Sequence, residues 1–217
     1  MTPHSVRLWQ LVSPTLPVGA FSFSQGLEQA VAAGAVRDEG AALAWIGGLL
    51  AHGVARVDLP VLLRVHLAWS VHDAAAVACW SEELTARRET AELRLEDASM
   101  GRALADVLGR LGVALPSGDL PFPCAFGAAC AEWGVPPVEA AAGYAWSWCE
   151  AQVAAAVKLV PLGHTAGQRL LLALGARIGP AVQAAAALDD DDIGASLPGF
   201  ALASALHETQ YTRLFRS

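Results

Sequence analysis

Lysine is almost missing from this sequence. Its 217 residues include one, Lys158, beside 13 arginines that are scattered along the chain. Acidic residues outnumber basic ones 21 to 14, a formal charge of −7. Nucleic-acid binding draws on a basic stripe that displaces phosphate counterions, and none is present. The same deficit excludes attraction to an anionic membrane surface. Charge of either sign is scarce, at 16% of residues. Much of the surface must therefore be Ala, Gly, Ser or larger apolar groups, and apolar patches mark interaction faces.

Clean hydrophobic runs are also missing. The longest charge-free stretch, Leu8 to Leu27, carries Ser13, Pro14, Pro17, Ser22, Ser24 and Gln25, which is wrong for a membrane span. After Arg7 only Leu8 to Val12 precede Ser13-Pro14, too short an apolar segment for a secretory leader. The four cysteines, Cys79, Cys124, Cys130 and Cys149, form no C-x-x-C pair. Reduced, mostly buried thiols in a cytoplasmic protein are the simplest reading.

Motifs for chemistry are lacking as well. There is no G-x-x-x-x-G-K-[ST] phosphate loop and no G-x-G-x-x-G turn after a strand. His207-Glu208 opens like H-E-x-x-H, but Tyr211 stands where the second zinc ligand belongs. Asp189 to Asp192 point in different directions, unlike the spaced oxygens of a calcium loop. Cys124 and Cys130, six apart, do not share a helical face. The six histidines are dispersed, and none pairs by spacing with a carboxylate. Ser22 and Ser24 have no positioned base. These absences predict no catalytic residue, metal site or cofactor.

What is present is alanine, 45 residues of it, in a chain that is 54% hydrophobic. Alanine is the strongest helix former, and no alternating strand pattern or internal repeat is found. The expected fold is all-α, a single-domain bundle of eight to ten helices over 1–217. Residues 4–12 open it. Ser22-Phe23-Ser24-Gln25 fits a capping box for a helix ending at Gly34. Asp38 caps a helix reaching about Arg56, Pro60 begins one to Ser70, and Asp73 caps one through Cys79. Residues 82–110 read as one long or once-broken amphipathic helix with Glu83–Arg87 and Asp106–Arg110 pairs. Leu115 to Pro123 is the clearest connector, taken as a loop within one bundle. Val138 to Val160 is nearly uncharged and predicts a central helix. The next runs to Leu188 with a kink at Gly179-Pro180, and the last spans Pro198 to Gln210. Trp45, Trp69, Trp80, Trp133, Trp146 and Trp148 are expected in the core or at interfaces.

Two segments resist this plain account. Pro161-Leu162-Gly163-His164-Thr165-Ala166-Gly167-Gln168 reads as a helix corner, yet Gly167 falls inside the new helix. A close helix approach would justify it. Residues 207–217 carry Tyr211, Leu214 and Phe215 between Arg213 and Arg216, although chain ends are usually polar and frayed. Aromatic and Arg residues suit an interface core. Folding back onto the chain's own body is the other reading of these residues.

The same segments carry a resemblance. Leu11-Val12-Ser13-Pro14-Thr15-Leu16-Pro17-Val18-Gly19-Ala20-Phe21-Ser22-Phe23-Ser24-Gln25-Gly26-Leu27-Glu28, Val160 to Arg169, and His207-Glu208-Thr209-Gln210-Tyr211-Thr212-Arg213-Leu214-Phe215-Arg216-Ser217 stand in the order and spacing of the UreF family of urease accessory proteins. The resemblance covers essentially the whole chain. His164, Ala166, Ala20 and Phe23 depart from the family pattern. The resemblance implies an all-helical, dimer-forming, non-catalytic cytoplasmic chaperone. Such a protein bridges a UreD/UreH partner and the UreG GTPase while apo-urease receives nickel, so that its own part in nickel handling is indirect. It also implies partner binding by His207, Glu208, Gln210, Tyr211, Arg213, Leu214, Phe215, Arg216 and Ser217. A structural or interface role follows for Pro161, Leu162, Gly163, Gly167, Gln168, Ser24, Gln25, Gly26 and Glu28. The competing expectation is a helical metal-dependent hydrolase whose site gathers His52, His66, Glu150 and His207.

Overall fold

In the computed structural model, which describes residues 3–217, the chain runs through ten α-helices. They are α1 (Pro3–Leu11), α2 (Leu27–Ala32), α3 (Glu39–Leu49), α4 (Asp58–Ser70), α5 (Ala74–Ala86), α6 (Ala91–Arg110), α7 (Phe122–Glu132), α8 (Pro137–Leu159), α9 (His164–Ala186) and α10 (Pro198–His207). No strand occurs among the described residues. The fold is all-α, as composition predicts.

Several helix starts follow from local chemistry. Asp38 Oδ1 accepts the Ala41 N–H at 2.8 Å, and Asp73 Oδ1 accepts that of Ala76 at 3.0 Å. Each satisfies a donor that the first helical turn leaves orphaned. Thr90 Oγ1 does the same for Leu93 at 3.3 Å. That cap divides the charged stretch into α5 and α6, and α5 runs past Cys79 to Ala86. The Glu83–Arg87 pair forms at 3.0 Å.

Other boundaries shift. Helix α3 ends at Leu49 and passes into a π turn over Leu50–Val54, where a helix to Arg56 was expected. Helix α9 continues through Pro180, and α10 stops at His207 rather than Gln210.

One contiguous apolar core draws on every helix from α1 to α9 and on Phe215 near the chain end. Helix α7 is its most enclosed element, buried at every position from Phe122 to Cys130. It packs against α4, α6 and α8, so α6 and α7 meet across the Pro-rich connector. Helix α8 also crosses the interior, touching α1, α2, α3, α4 and α9. It keeps an outer side, with Trp146 and Val138 exposed. A Cβ on Gly167 would stand 3.0 Å from Val157 Cγ2. That glycine marks the close approach of α9 to α8.

Candidate functional site

The capping box expected at Ser22-x-x-Gln25 does not form. The N-cap of α2 is Gly26, in the left-handed conformation at φ +74, with no side-chain cap. Gln25 is left-handed too, at φ +51. Such backbone is sparsely populated for a residue with a side chain and persists where its surroundings hold it. Gln25 is held at both ends: its Nε2 donates to Glu96 Oε1 at 2.8 Å, and its Oε1 accepts from Trp148 Nε1 at 2.9 Å. Gly26 faces α10, where a Cβ would come within 2.9 Å of the Ser204 nitrogen.

This bend turns the N-terminal segment into a seat for the last residues. The Arg216 N–H donates to Ser22 O at 2.8 Å, and the Ser24 N–H donates to the Ser217 main-chain oxygen at 2.8 Å. Ser24 Oγ donates to the same oxygen at 2.5 Å. Glu28 Oε1 accepts the Leu214 N–H at 2.6 Å, and its Oε2 accepts the Phe215 N–H at 2.9 Å. The first two turns of α6 supply the opposite wall. Glu92 Oε1 accepts from Arg213 at 2.8 Å, and Glu96 Oε2 accepts from Ser217 Oγ at 2.8 Å.

His207 closes the arrangement. It is fully buried at the end of α10. Its Nε2 lies 3.0 Å from Glu28 Oε2, and its Nδ1 lies 2.8 Å from Glu92 Oε2. Thr90 and Ser204 join the same two helices through their hydroxyls at 2.8 Å. Glu208 Oε1 accepts the Ala91 N–H at 3.1 Å. Two cations cover aromatic faces at the rim: Lys158 Nζ is 5.5 Å from the Phe215 ring, and the Arg216 guanidinium is 5.7 Å from the Phe23 ring. Burial pushes the Glu96 carboxyl up to about 7, with the neighbouring charge of Asp97 adding to the effect. Hydrogen bonds from Gln25 and Ser217, and the Arg88 charge, pull the other way.

Behind Glu96 lies a buried ion network. Arg88 contacts Asp58 Oδ1 and Asp97 Oδ2, each at 2.6 Å, and Tyr144 donates to Asp58 Oδ1 at 3.1 Å. Burial opposes the Arg88 charge, and the two aspartates more than offset it, driving its pKa up. Burial likewise raises Asp97. Beside this network is a cavity of about 150 Å³, lined in part by Gln25, Asp58, Arg88 and Trp148.

The tail therefore divides. His207, Phe215 and Ser217 are buried within the chain's own fold. Tyr211 is wholly exposed and Leu214 is 66% exposed. On the adjacent α10, Leu202 and Leu206 are exposed one helical turn apart. In the corner motif Pro161, Gly163 and Gln168 lie at the surface, Leu162 is half-buried and Gly167 is buried. Gly163 is the N-cap of α9.

The four residues gathered for a hydrolase stay apart in role and setting. His52 is exposed on the π turn. His66 is buried and bonded to Val135 O at 2.7 Å. Glu150 is half-buried on α8, and His207 is held by its two glutamates. Among the described residues no group of three or more His, Cys, Asp or Glu is arranged to hold a metal ion. Burial also pushes the Cys124 and Cys149 thiols up to about 12, far from the reactive thiolate form.

Comparison with known proteins gives the same lineage. The UreF family profile matches residues 36–175. The chain belongs to the UreF family. It is 54% identical over 216 residues to the urease accessory protein UreF of Alkalilimnicola ehrlichii, covering 97% of this chain and 95% of that one. The corresponding proteins of Chromohalobacter salexigens and Azoarcus sp. are each 48% identical, over 97% and 98% of this chain and 93% and 95% of their own lengths.

With the UreF family in view, two of its three sequence motifs prove to be a single site. The 11–28 segment and the 207–217 segment bond to each other. Sequence reasoning missed the other wall, Thr90, Glu92 and Glu96. It also found no carboxylate partner for His207, because Glu92 lies 115 positions away and Glu28 lies 179 away. One signal was available: Glu92 and Glu96 stand on the i, i+4 row that continues into Met100 and Leu104, the apolar stripe of α6, where a solvated helix face would keep carboxylates outside.

Proposed function

We propose that this chain is a non-catalytic scaffold in urease maturation. In this reading it joins a UreD/UreH-like accessory protein to a UreG-like GTPase, and through them reaches apo-urease during GTP-dependent nickel insertion. It would act in the cytoplasm as a homodimer and regulate the GTPase without turning over a substrate. Family membership supports the accessory role. The observation that carries the partner-binding part is the presentation of Tyr211 and Leu214. Both apolar side chains are left in solvent by a segment that is otherwise fastened at Arg213, Phe215, Arg216 and Ser217.

Exposed aromatic and aliphatic groups on a rigid frame bind at low ordering cost, because the frame has already lost its freedom. The buried members of the tail, His207, Phe215 and Ser217, serve in this reading as the frame rather than as contacts. Removing all of 207–217 would uncover Glu28, Glu92 and Glu96 and confound the result. The cleaner test is the double substitution Tyr211→Ala with Leu214→Ala, assayed by co-purification with the UreD/UreH-like and UreG-like proteins. Capture of the UreD/UreH-like protein should fall at least about tenfold, the scale of a lost interface hot spot, with helical content unchanged. Undiminished capture would refute the proposed contact.

A further inference from the structure

Three departures from ordinary backbone and burial meet at one hollow. The π turn Leu50–Val54 forms one side through Gly53 and Val54, and the chain after it adds Val57 and Asp58. Left-handed Gln25 forms another. Arg88, the centre of the buried ion network, forms a third. Both π turns and strained non-glycine backbone concentrate at functional sites. The hollow is the cavity of about 150 Å³ beside that network, and the partner-binding reading makes no use of it.

Size and lining limit what fits. A void of that volume holds a molecule the size of benzene. Leu49, Val54, Val57, Leu93, Leu197 and Phe200 make most of the wall apolar, and Ala195, which is exposed, lies at its outer edge. The occupant therefore has an apolar body, and its polar head must answer the few polar groups present.

Those groups have both a donor and an acceptor to spare. A guanidinium carries five N–H groups. Arg88 commits Nε to Asp97 Oδ2, and Nη2 and Nη1 to Asp58 Oδ1 and Oδ2. Its other N–H groups find no acceptor among the described residues. The Nη1 contact is long, at 3.4 Å, and Asp58 Oδ2 accepts nothing else among the described residues, whereas Oδ1 also accepts from Tyr144. A spare donor and a spare acceptor thus stand on adjoining side chains of the cavity.

Charge narrows the choice. Arg87 is taken up by Glu83 and Arg88 by two aspartates, so Glu89, also in the lining, adds a negative charge with no ion pair among the described residues. A carboxylate head would be the third on Arg88. An ammonium head would answer Asp58 but set a like charge against the spare Arg88 N–H groups. A carboxamide offers a carbonyl to one, an N–H to the other, and no charge.

We propose that this cavity is a binding site for a small neutral carboxamide, its carbonyl accepting from Arg88, its N–H donating to Asp58 Oδ2, and its apolar body against Leu49, Val54 and Leu197. The site does not rest on the scaffold reading, and either can fail without the other.

The test is titration of the full chain with isobutyramide, isobutyrate and 3-methylbutan-1-amine, matched in size, read by NMR at the Trp148 indole N–H and the Gln25 side-chain amide. Both residues line the cavity. Isobutyramide should shift both signals saturably with a Kd of about 1 mM or tighter, within reach of so small a ligand. The acid and the amine should bind at least about tenfold more weakly, because each leaves a buried polar group unanswered. The exposed indoles of Trp9 and Trp146 should not move. Val54→Phe puts a ring into the cavity and should abolish the shifts with helical content unchanged. Asp58→Asn presents a donor where the carboxylate accepted and removes one negative charge, so it should turn the preference toward isobutyrate. The proposal is overturned if isobutyramide leaves Trp148 and Gln25 unmoved, if the acid or the amine binds as tightly, or if Trp9 and Trp146 shift along with Trp148. It is equally overturned if a folded Val54→Phe chain binds like wild type or a folded Asp58→Asn chain still prefers the amide. Where a variant fails to fold, the wild-type series alone decides.

Discussion

Two buried polar clusters lie side by side on α6, and they solve the same problem differently. At Asp97 and Asp58 two carboxylates share Arg88, whose guanidinium stays charged at any pH a protein survives. At Glu28 and Glu92 two carboxylates share the imidazole of His207, one on each ring nitrogen. The first cluster joins the α5–α6 turn to α4, α6 and α8, helices that all contribute to the continuous core. The second joins α2, α6, α10 and the chain end. The lesson is that Arg88 ties elements of the bundle's body to one another, whereas His207 ties that body to a short terminal segment. The outcome of losing each side chain differs for that reason.

Arg88→Ala should give the largest effect. It strands Asp58 and Asp97, 6% and 9% exposed, with no cation beside them. Removing one partner of such a pair costs about 3–5 kcal/mol. Urea unfolding should show the loss for the whole molecule, with no rescue at high pH. A loss confined to the tail would break the comparison.

His207→Ala removes the matching central side chain from the other cluster, yet the molecule has an escape. The segment after α10 can swing out and let water reach Glu28 and Glu92, which is local opening rather than global unfolding. The expected penalty is about 1–3 kcal/mol, that of stranded hydrogen-bonding groups. Amide hydrogen exchange should show faster exchange in 211–217 and little change in α7. Global destabilisation as large as that of Arg88→Ala would show that the tail is part of the core.

Much of this was legible before the structure. The Asp38 and Asp73 caps, the loop at 115–123 and the Gly167 contact each follow from local rules, because the groups that interact lie within a few residues or one helix crossing. The two-sided nature of the tail was legible only as a choice. Aromatic and Arg content pointed to an interface, and folding back was the alternative. The structure distributes the residues between both, with Phe215 inside and Tyr211 outside. The glutamate walls were not legible at all. Hydrophobic periodicity speaks of faces, not of which carboxylate on one helix meets which imidazole on another. The Ser22-x-x-Gln25 pattern misled for a related reason. The same residue types that cap a helix also bind a passing chain, and here Ser24 and Gln25 use their polar groups on Ser217 and Glu96.

Arg213→Ala should be the mildest of these changes, and it sharpens the comparison most finely. Arg213 is the tail's own permanent cation, but its side chain is 41% exposed while Glu92 is 9% exposed. An exposed pair contributes about 0–1 kcal/mol, and salt screens it. Here one end is buried, which puts the expected loss near the top of that range, about 1 kcal/mol. His207 would remain on the other oxygen of Glu92, so Glu92 is not stranded. The loss should show as a modest rise in exchange at Leu214 and Phe215, shrinking as salt is raised, with the urea midpoint unchanged. An effect on exchange as large as that of His207→Ala would mean that the guanidinium, rather than the imidazole, holds the chain end down, and the contrast between the two clusters would fail.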